Sequence, residues 1–438
     1  MGGYMYSSFQ KVALLIYYHK LNRYSFNALV GAIETEKDLD QLPIHFANNA
    51  QELEEKLDVL SKKFCKIVVA FSFMTCQYLE IQKLISYLKK RFPYKTFFIA
   101  GGPHPTGDPC GTLNMGFDVV VRGEGEQTFP EIIRRLISDE NYRSVSGIAF
   151  LEGTKCFLNP LGKRPDINYY PPFAVKHKKF GPIEISRGCP WACRFCQTSY
   201  IFGTRVRHRS ISNICRYVQI MKENGLTDIR FISPNAFMYG SSDGKTPNIS
   251  AIEELLKSIR EILSDKGRIF FGTFPSEVRP DSVTPEILEL VKKYCNNDNI
   301  VIGGQSGSEK VLNLTGRGHS VEDIRRAVEL TLKSGLKANV DLIFGLPGET
   351  EEDSYLTLQL AKELIKMGAR IHAHTFMPLV GTPFENMPPG KISPKIRKEL
   401  GRLTSAGKVY GQWHAQEEIA KYTAKIIQES KRILNAEV

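Results

Sequence analysis

The segment SRGCPWACRFCQTSY (186–200) places Cys189, Cys193 and Cys196 in CxxxCxxC spacing directly after the apolar run PIEIS (182–186). Three thiols within eight residues can converge on one centre from a single loop, and cysteine thiolates are the usual ligands of iron–sulfur clusters. A structural zinc site asks for four ligands. Cys215 and His208 are the nearest candidates for a fourth, and neither lies within ten residues of Cys196. Three ligands leave one iron of a [4Fe–4S] cluster with an open position. A zinc knuckle completed by His208 is the lesser alternative.

Downstream of this loop, strand-like runs recur at intervals of about 35 residues, separated by stretches of helical period. They are DIRFIS (228–233), RIFFGTF (268–274), NIVIGG (299–304), ANVDLIFG (338–345) and ARIHAHTF (369–376). With PIEIS they make six βα units, which fit a partial (β/α)6 barrel better than a flat sheet, although periodicity alone does not separate the two. Upstream, KVALLIYY (11–18), KIVVAFSF (66–73), TFFIAGG (96–102) and FDVVVRG (117–123) are apolar runs without polar alternation. Such runs are the mark of strands buried on both faces. A weaker strand near 41–47 and helical stretches at 25–36, 50–63 and 79–91 complete a Rossmann-like doubly wound parallel sheet of about five strands. Residues 141–176 read as a β-hairpin turning at Glu152-Gly153 and a Pro- and Tyr-rich linker. The expected α/β organisation is a sheet domain over 1–140, hairpin and linker over 141–176, a barrel over 177–390, and a helical tail over 391–438.

Composition excludes several classes. Of the 438 residues 42% are hydrophobic and 24% charged, which rules out wholesale disorder and a fibrous repeat. No apolar run approaches the roughly 20 residues of a membrane-spanning helix. The N-terminal run is broken by His19 and Lys20 and lacks a small-residue cleavage site, so no signal peptide is expected. Nine cysteines are too few for a disulfide scaffold of this size and point to metal or redox chemistry in a cytoplasmic setting. Outside the triplet, the six other cysteines read as ordinary buried residues. The formal net charge of +11 suits anionic cofactors or substrates. It also admits nucleic acid, through RVRHR (205–209) and KHKK (176–179), as the minority reading.

The cysteine loop, with Trp191 and Phe195 and the preceding Arg-Gly, resembles the radical S-adenosylmethionine (SAM) superfamily, in which CxxxCxxC follows the first barrel strand. The resemblance implies a [4Fe–4S] cluster on Cys189, Cys193 and Cys196, whose open iron chelates SAM. It implies reductive cleavage of SAM to a 5′-deoxyadenosyl radical, fed by an external one-electron donor. Phe195 would flank the adenine. FISPNAF (231–237) stands where the family binds the methionine amino group, with Ser233-Pro234-Asn235 replacing the usual Gly-Gly-Glu. Further, GGQSGSEKVLNLTGRGHSVEDIRRAV (303–328), DLIFGLPGETEEDSY (341–355) and MPLVGTPFENM (377–387) look like the elongator-type core shared by methylthiotransferases and cobalamin-dependent enzymes. Gln305 and Ser306 offer neutral hydrogen-bonding groups to ribose or carboxylate, and Asp341, read as the start of the fifth strand, is left as a structural residue.

The first domain resembles the cobalamin-binding domain fused upstream of many radical SAM enzymes. The candidate cofactor contacts are Gly101, Gly102 and His104 of GGPHPT, and Gly123 and Glu124 of RGEGE. The family's Asp-x-His-x-x-Gly motif is absent, so a cobalt ligand from the usual histidine is not expected. Cys65, Cys76 and Cys110 do not assemble the second cluster of a methylthiotransferase, because Cys65 precedes its strand. His372 and His374 alternate on one face of a strand toward the barrel interior, facing substrate or metal or serving structure. The leading expectation is a cobalamin-dependent radical SAM methyltransferase acting on an unactivated carbon of a small-molecule or macromolecular substrate. A radical cyclase or rearrangement enzyme and an RNA-modifying, methylthiotransferase-like enzyme are the alternatives.

Overall fold

The computed structural model describes residues 12–436. It divides into two compact units, one formed by Met1–Gly181 with Ile427–Val438, the other by Pro182–Ile426.

In the first unit, β1 (Val12–Tyr17), β2 (Ile44–Ala47), β3 (Lys66–Ser72), β4 (Thr96–Gly101) and β5 (Val119–Val121) lie parallel in the order β2-β1-β3-β4-β5. Strand alternation divides each apolar run between two cores. Leu14 and Ile16 of β1 and Val68 and Ala70 of β3 face a cluster with Phe26, Val30, Phe129 and Ile132 from the helices Arg23–Thr35 and Thr128–Ile137. Leu15 of β1 and Val69 and Phe71 of β3 face the opposite cluster, with Leu53 and Leu57 of the helix Ala50–Leu60 and Ile81 and Ile85 of the helix Tyr78–Arg91. Each fully buried aliphatic side chain of this kind contributes about 1.5–3 kcal/mol of transfer free energy. The absence of polar alternation in the sequence thus has its cause in helices covering both faces.

The hairpin β6 (Ile148–Glu152) and β7 (Lys155–Leu158) pairs antiparallel on β5 and extends the sheet to seven strands. The six remaining cysteines are not all ordinary buried residues. Cys65 and Cys76 are exposed. Cys110, on the helix Pro109–Asn114, is disulfide-bonded to Cys156 of β7. The hairpin's return onto the sheet edge brings the two together across 46 residues of sequence.

In the second unit β8 (Ile183–Glu184) is short. The chain then turns through β9 (Ser186–Arg187), which pairs antiparallel with β10 (Arg207–His208). Next come β11 (Asp228–Ile232) and β12 (Arg268–Phe270), in a parallel arc β8-β11-β12. A second parallel arc holds β13 (Asn299–Gln305), β14 (Lys337–Phe344), β15 (Arg370–Thr375) and β16 (Val409–Tyr410). Val301 N–H donates to Gly272 O at 3.0 Å and Val278 N–H to Val301 O at 2.9 Å, which ties the two arcs together. The six expected βα units are present, and the tail adds β16 between the helices Pro394–Ser405 and Trp413–Ala436. Asp341 does not begin its strand. It lies in the middle of β14, in register with His372 of β15.

Candidate active site

The cysteine loop is pinned by backbone bonds rather than by its own regular structure. Cys189 N–H donates to Gly203 O at 3.0 Å, Arg194 N–H to Thr315 O at 2.9 Å, and Phe384 N–H to Arg194 O at 3.2 Å. Phe195 and Ile343 each pack against the buried apolar cluster of Val311, Leu346, Phe376 and Phe384. The three cysteines thus stand at the strand ends, where ligands of parallel α/β folds bind.

Two buried arginines face this loop. Arg317, 9% exposed, donates from Nη1 to Cys193 Sγ at 3.6 Å and from Nη2 to Gly303 O at 2.6 Å. Its Nε donates to His319 Nε2 at 3.2 Å. The imidazole accepting this bond is neutral: burial, then Arg317 and Arg279, push the His319 pKa down to about 3. Arg279 lies 3.7 Å over the Trp191 ring, donates to Arg317 O at 2.6 Å and pairs with Asp281 at 3.0 Å. Burial pushes the Cys189 and Cys196 thiols up, and Arg279 opposes this at Cys189. Two desolvated guanidiniums beside three thiols fit a centre that carries negative charge when its ligands are deprotonated. Buried donors with no protein acceptor also line the region: Trp191 Nε1, Asn235 Nδ2 and Arg279 Nη1. This donor set and these orphaned hydrogens fit a thiolate-held cluster with an anionic ligand beside it.

A pocket lined by Cys189, Trp191, Ser233, Pro234, Asn235 and Met238 adjoins the loop. Asn235 N–H donates to Ser233 Oγ at 3.3 Å and Asn235 Oδ1 accepts from Ser282 Oγ at 3.2 Å, so the amide is oriented with Nδ2 left over. Gln305 ends β13 at a φ of 72°, in the left-handed region. Ser306 is used within the protein, its Oγ lying 3.2 Å from Thr357 Oγ1 and accepting Ser308 N–H at 3.1 Å. The zinc alternative lacks its fourth ligand, since His208 Nδ1 lies 2.8 Å from Ser186 Oγ and Nε2 lies 2.9 Å from Ser241 O.

In the first unit the ends of β3 and β4 meet at Gly102, whose φ is 94°. A Cβ there would come within 2.6 Å of Ser72 Oγ, so the turn requires glycine. His104 is fully buried, stacked on Phe73, with Nδ1 3.2 Å from Thr75 Oγ1. Desolvation pushes its pKa down to about 4. Its Nε2 and Ser72 Oγ are buried without hydrogen-bond partners, polar atoms at a strand-end turn that fit a bound polar group. Gly123 N–H donates to Thr106 Oγ1 at 3.1 Å, and Glu124 pairs with Arg164 at 3.2 Å.

Arg279 and Arg317, which the structure places against the cysteine loop, are not among the residues that the sequence singles out. Arg317 lies inside the quoted stretch 303–328, and an arginine flanked by two glycines after a short helix was the available signal. The basic stretches are largely engaged within their own units. Arg209 is 1% exposed and bonded to Glu184 O, Lys176 pairs with Asp40, and Lys179 lies over Phe46 at 4.4 Å. No described helix is long and apolar enough to cross a membrane.

Comparison with known proteins places these two regions in two families. Residues 183–361 match the radical SAM superfamily and residues 44–133 match the B12 binding domain. An uncharacterised protein of Methanopyrus kandleri is 26% identical over 385 residues, covering 76% of this chain and 70% of the relative. The tRNA-2-methylthio-N(6)-dimethylallyladenosine synthase of a Sulfurihydrogenibium species is 28% identical over 240 residues, and the chain spans only 52% of its length. Among solved structures, the radical SAM methyltransferase TsrM from Kitasatospora setae, with cobalamin and a [4Fe-4S] cluster bound, shares the fold. Its TM-score is 0.67 at 15% identity, over 86% of this chain and 74% of that one.

Proposed function

We propose, from the premise that this chain is a radical SAM protein carrying a B12 binding domain, that it is a cobalamin-dependent methyltransferase acting on an unactivated carbon. The observation that carries the reading is the cysteine loop, in which Arg317 aims a charged donor at Cys193 Sγ, together with a B12-binding domain in the same polypeptide.

In this reading Cys189, Cys193 and Cys196 hold the cluster, and Ser233 and Asn235 hold the polar end of SAM. Phe195, Ile343 and Phe376 exclude water from the radical's path. The Gly101-Gly102 turn, with His104 behind it, would hold the corrin. When bound, the cluster and SAM supply one-electron radical chemistry and cobalamin supplies a methyl carrier. Arg317 and Arg279 balance the negative charge gathered by the thiolates, and Arg317 donates its Nη1–H to Cys193 Sγ. The RNA-modifying alternative draws on the methylthio-tRNA relative, but Arg209, Lys176 and Lys179, three of the basic residues that would contact phosphate, already have internal partners.

The test is uncoupled turnover of the anaerobically reconstituted protein with reductant, SAM and hydroxocobalamin. Formation of both 5′-deoxyadenosine and S-adenosylhomocysteine supports methyl transfer. Formation of 5′-deoxyadenosine alone, with or without cobalamin, points to a rearrangement enzyme and overturns the proposal.

A further inference from the structure

Three groups from adjacent strands of the second arc meet on its inner face, apart from the cysteine loop. Asp341 of β14 and His372 of β15 are register partners, and His374 follows two residues on, paired with Ile343. On β14 the outward residue Val340 packs toward Ile324 of the helix Val321–Lys333, so Asp341 points to the interior. His372 Nδ1 lies 3.0 Å from Asp341 Oδ1 and 3.1 Å from His374 Nε2, and one ligand atom from each residue falls within 4.8 Å of the others. The His372 ring is held face-on to Tyr410 at 4.6 Å with an interplanar angle of 3°.

Hydrogen bonding alone does not satisfy this arrangement. An imidazole nitrogen has one in-plane direction, carrying either a proton or a lone pair. His372 Nδ1 cannot donate to Asp341 and accept from His374 along that one direction. With metal–ligand bonds of about 2.0–2.2 Å, adjacent ligand atoms of one ion stand roughly 3.0–3.4 Å apart. The two short separations match such an edge, and the third is within reach of a small rotation of a side chain on a rigid strand.

We infer that Asp341, His372 and His374 form a binding site for one divalent first-row transition-metal ion in the interior of the barrel, separate from the cysteine-held cluster. Two imidazoles and one carboxylate suit zinc, iron(II) or manganese, and leave coordination positions open toward the interior. Glu277, from the loop between β12 and β13, faces Asp341 as a further acidic neighbour. The two side chains stand within hydrogen-bonding reach of one another. A cation between these groups relieves the carboxylate pair.

Gln416 opposes ligation in its present orientation, and this gives the inference a direct test. Its Oε1 accepts Thr375 N–H at 3.0 Å, which turns Nε2 toward His374 Nδ1 at 3.3 Å. Ligation through Nε2 puts the proton on Nδ1, where a donor is the wrong partner. A carboxylate at this position accepts from both, so Gln416→Glu should tighten the metal at least tenfold, the scale of carboxylate–histidine–metal partnerships.

The experiment is equilibrium dialysis of the cluster-loaded full chain against zinc, with metals counted by mass spectrometry and the cluster by labile sulfide. The expected result is about one zinc per chain beyond the cluster iron. It is lost in the double variant His372→Ala/His374→Ala with sulfide unchanged, and held at least tenfold more tightly by Gln416→Glu. Should the double variant lose sulfide as well, the Gln416→Glu comparison decides. No retained zinc in the wild type, zinc retained equally by the double variant, or no gain in Gln416→Glu overturns the inference.

Discussion

Replacing Arg317 with Met keeps an unbranched stem, shorter than the original, while removing the charge that stands 3.6 Å from Cys193 Sγ. At an effective dielectric of about 20, a unit charge at that distance is worth about 4.6 kcal/mol. A tenfold change in a one-electron equilibrium is about 59 mV or 1.4 kcal/mol, so the ceiling is about 200 mV. The added electron spreads over the whole cluster and only part of it resides at this sulfur. A quarter to a half of the ceiling, about 50–100 mV, is the expected shift. The sign is fixed: without the guanidinium the reduced, more negative state is less stable, and the midpoint moves down. Arg317→Lys retains charge without the forked donor and should fall between the two. The variant also strips Gly303 O and His319 Nε2 of a donor, at about 1–3 kcal/mol of stability. Iron content must therefore be shown equal before potentials are compared. The assay is an anaerobic redox titration followed by electron paramagnetic resonance of the reduced cluster. A midpoint for Arg317→Met equal to wild type, or higher, refutes the reasoning.

Two further outcomes follow from burial and backbone geometry. Burial holds the Glu349 pKa up at about 7, above its unfolded value, although Leu346 N–H and Ser354 Oγ each donate to it at 2.7 Å. Its contribution to stability is present below about pH 4.5 and is lost as pH rises to about 7, by up to about 3 kcal/mol. Glu349→Gln should therefore gain on wild type in denaturation midpoint between pH 5 and pH 8, and parallel profiles would contradict this. Gly318 and Gly316 both have φ near +70°, but a Cβ at Gly318 meets Trp191 Cζ3 at 2.2 Å whereas one at Gly316 meets nothing within 4 Å. Gly318→Ala should lower iron content and shift tryptophan fluorescence, and Gly316→Ala should show only the strain both share, about 1–3 kcal/mol; equal effects would remove the role given to Trp191.

The parts of the fold that were legible are those where burial is decided locally. Leu14-Leu15-Ile16 and Val68-Val69-Ala70 announce strands covered on both faces, because no position is left for a polar residue. PIEIS was less reliable. Its last residue leaves β8 to pair with His208, a partner 22 positions away. The same limit hid β16, a two-residue strand that exists only because β15 offers an edge. The disulfide between Cys110 and Cys156 depends likewise on where the hairpin lands. At the proposed cluster site, the three cysteines can be read together because they share one loop. Arg279 and Arg317 come from other elements, and their approach to the cysteines is a product of barrel closure. His372 and His374 were placed on one face by alternation alone. Joining them to Asp341 required the β14–β15 register, which no single run contains.

The central claim, that one chain holds both a radical SAM cluster and a corrin, is tested most directly by metal analysis of a single sample. The protein is reconstituted anaerobically with iron, sulfide and hydroxocobalamin, then freed of unbound material. The account predicts about four irons and one cobalt per chain, with the iron lost and the cobalt kept when Cys189, Cys193 and Cys196 are replaced by Ala. Four irons with no cobalt would contradict it.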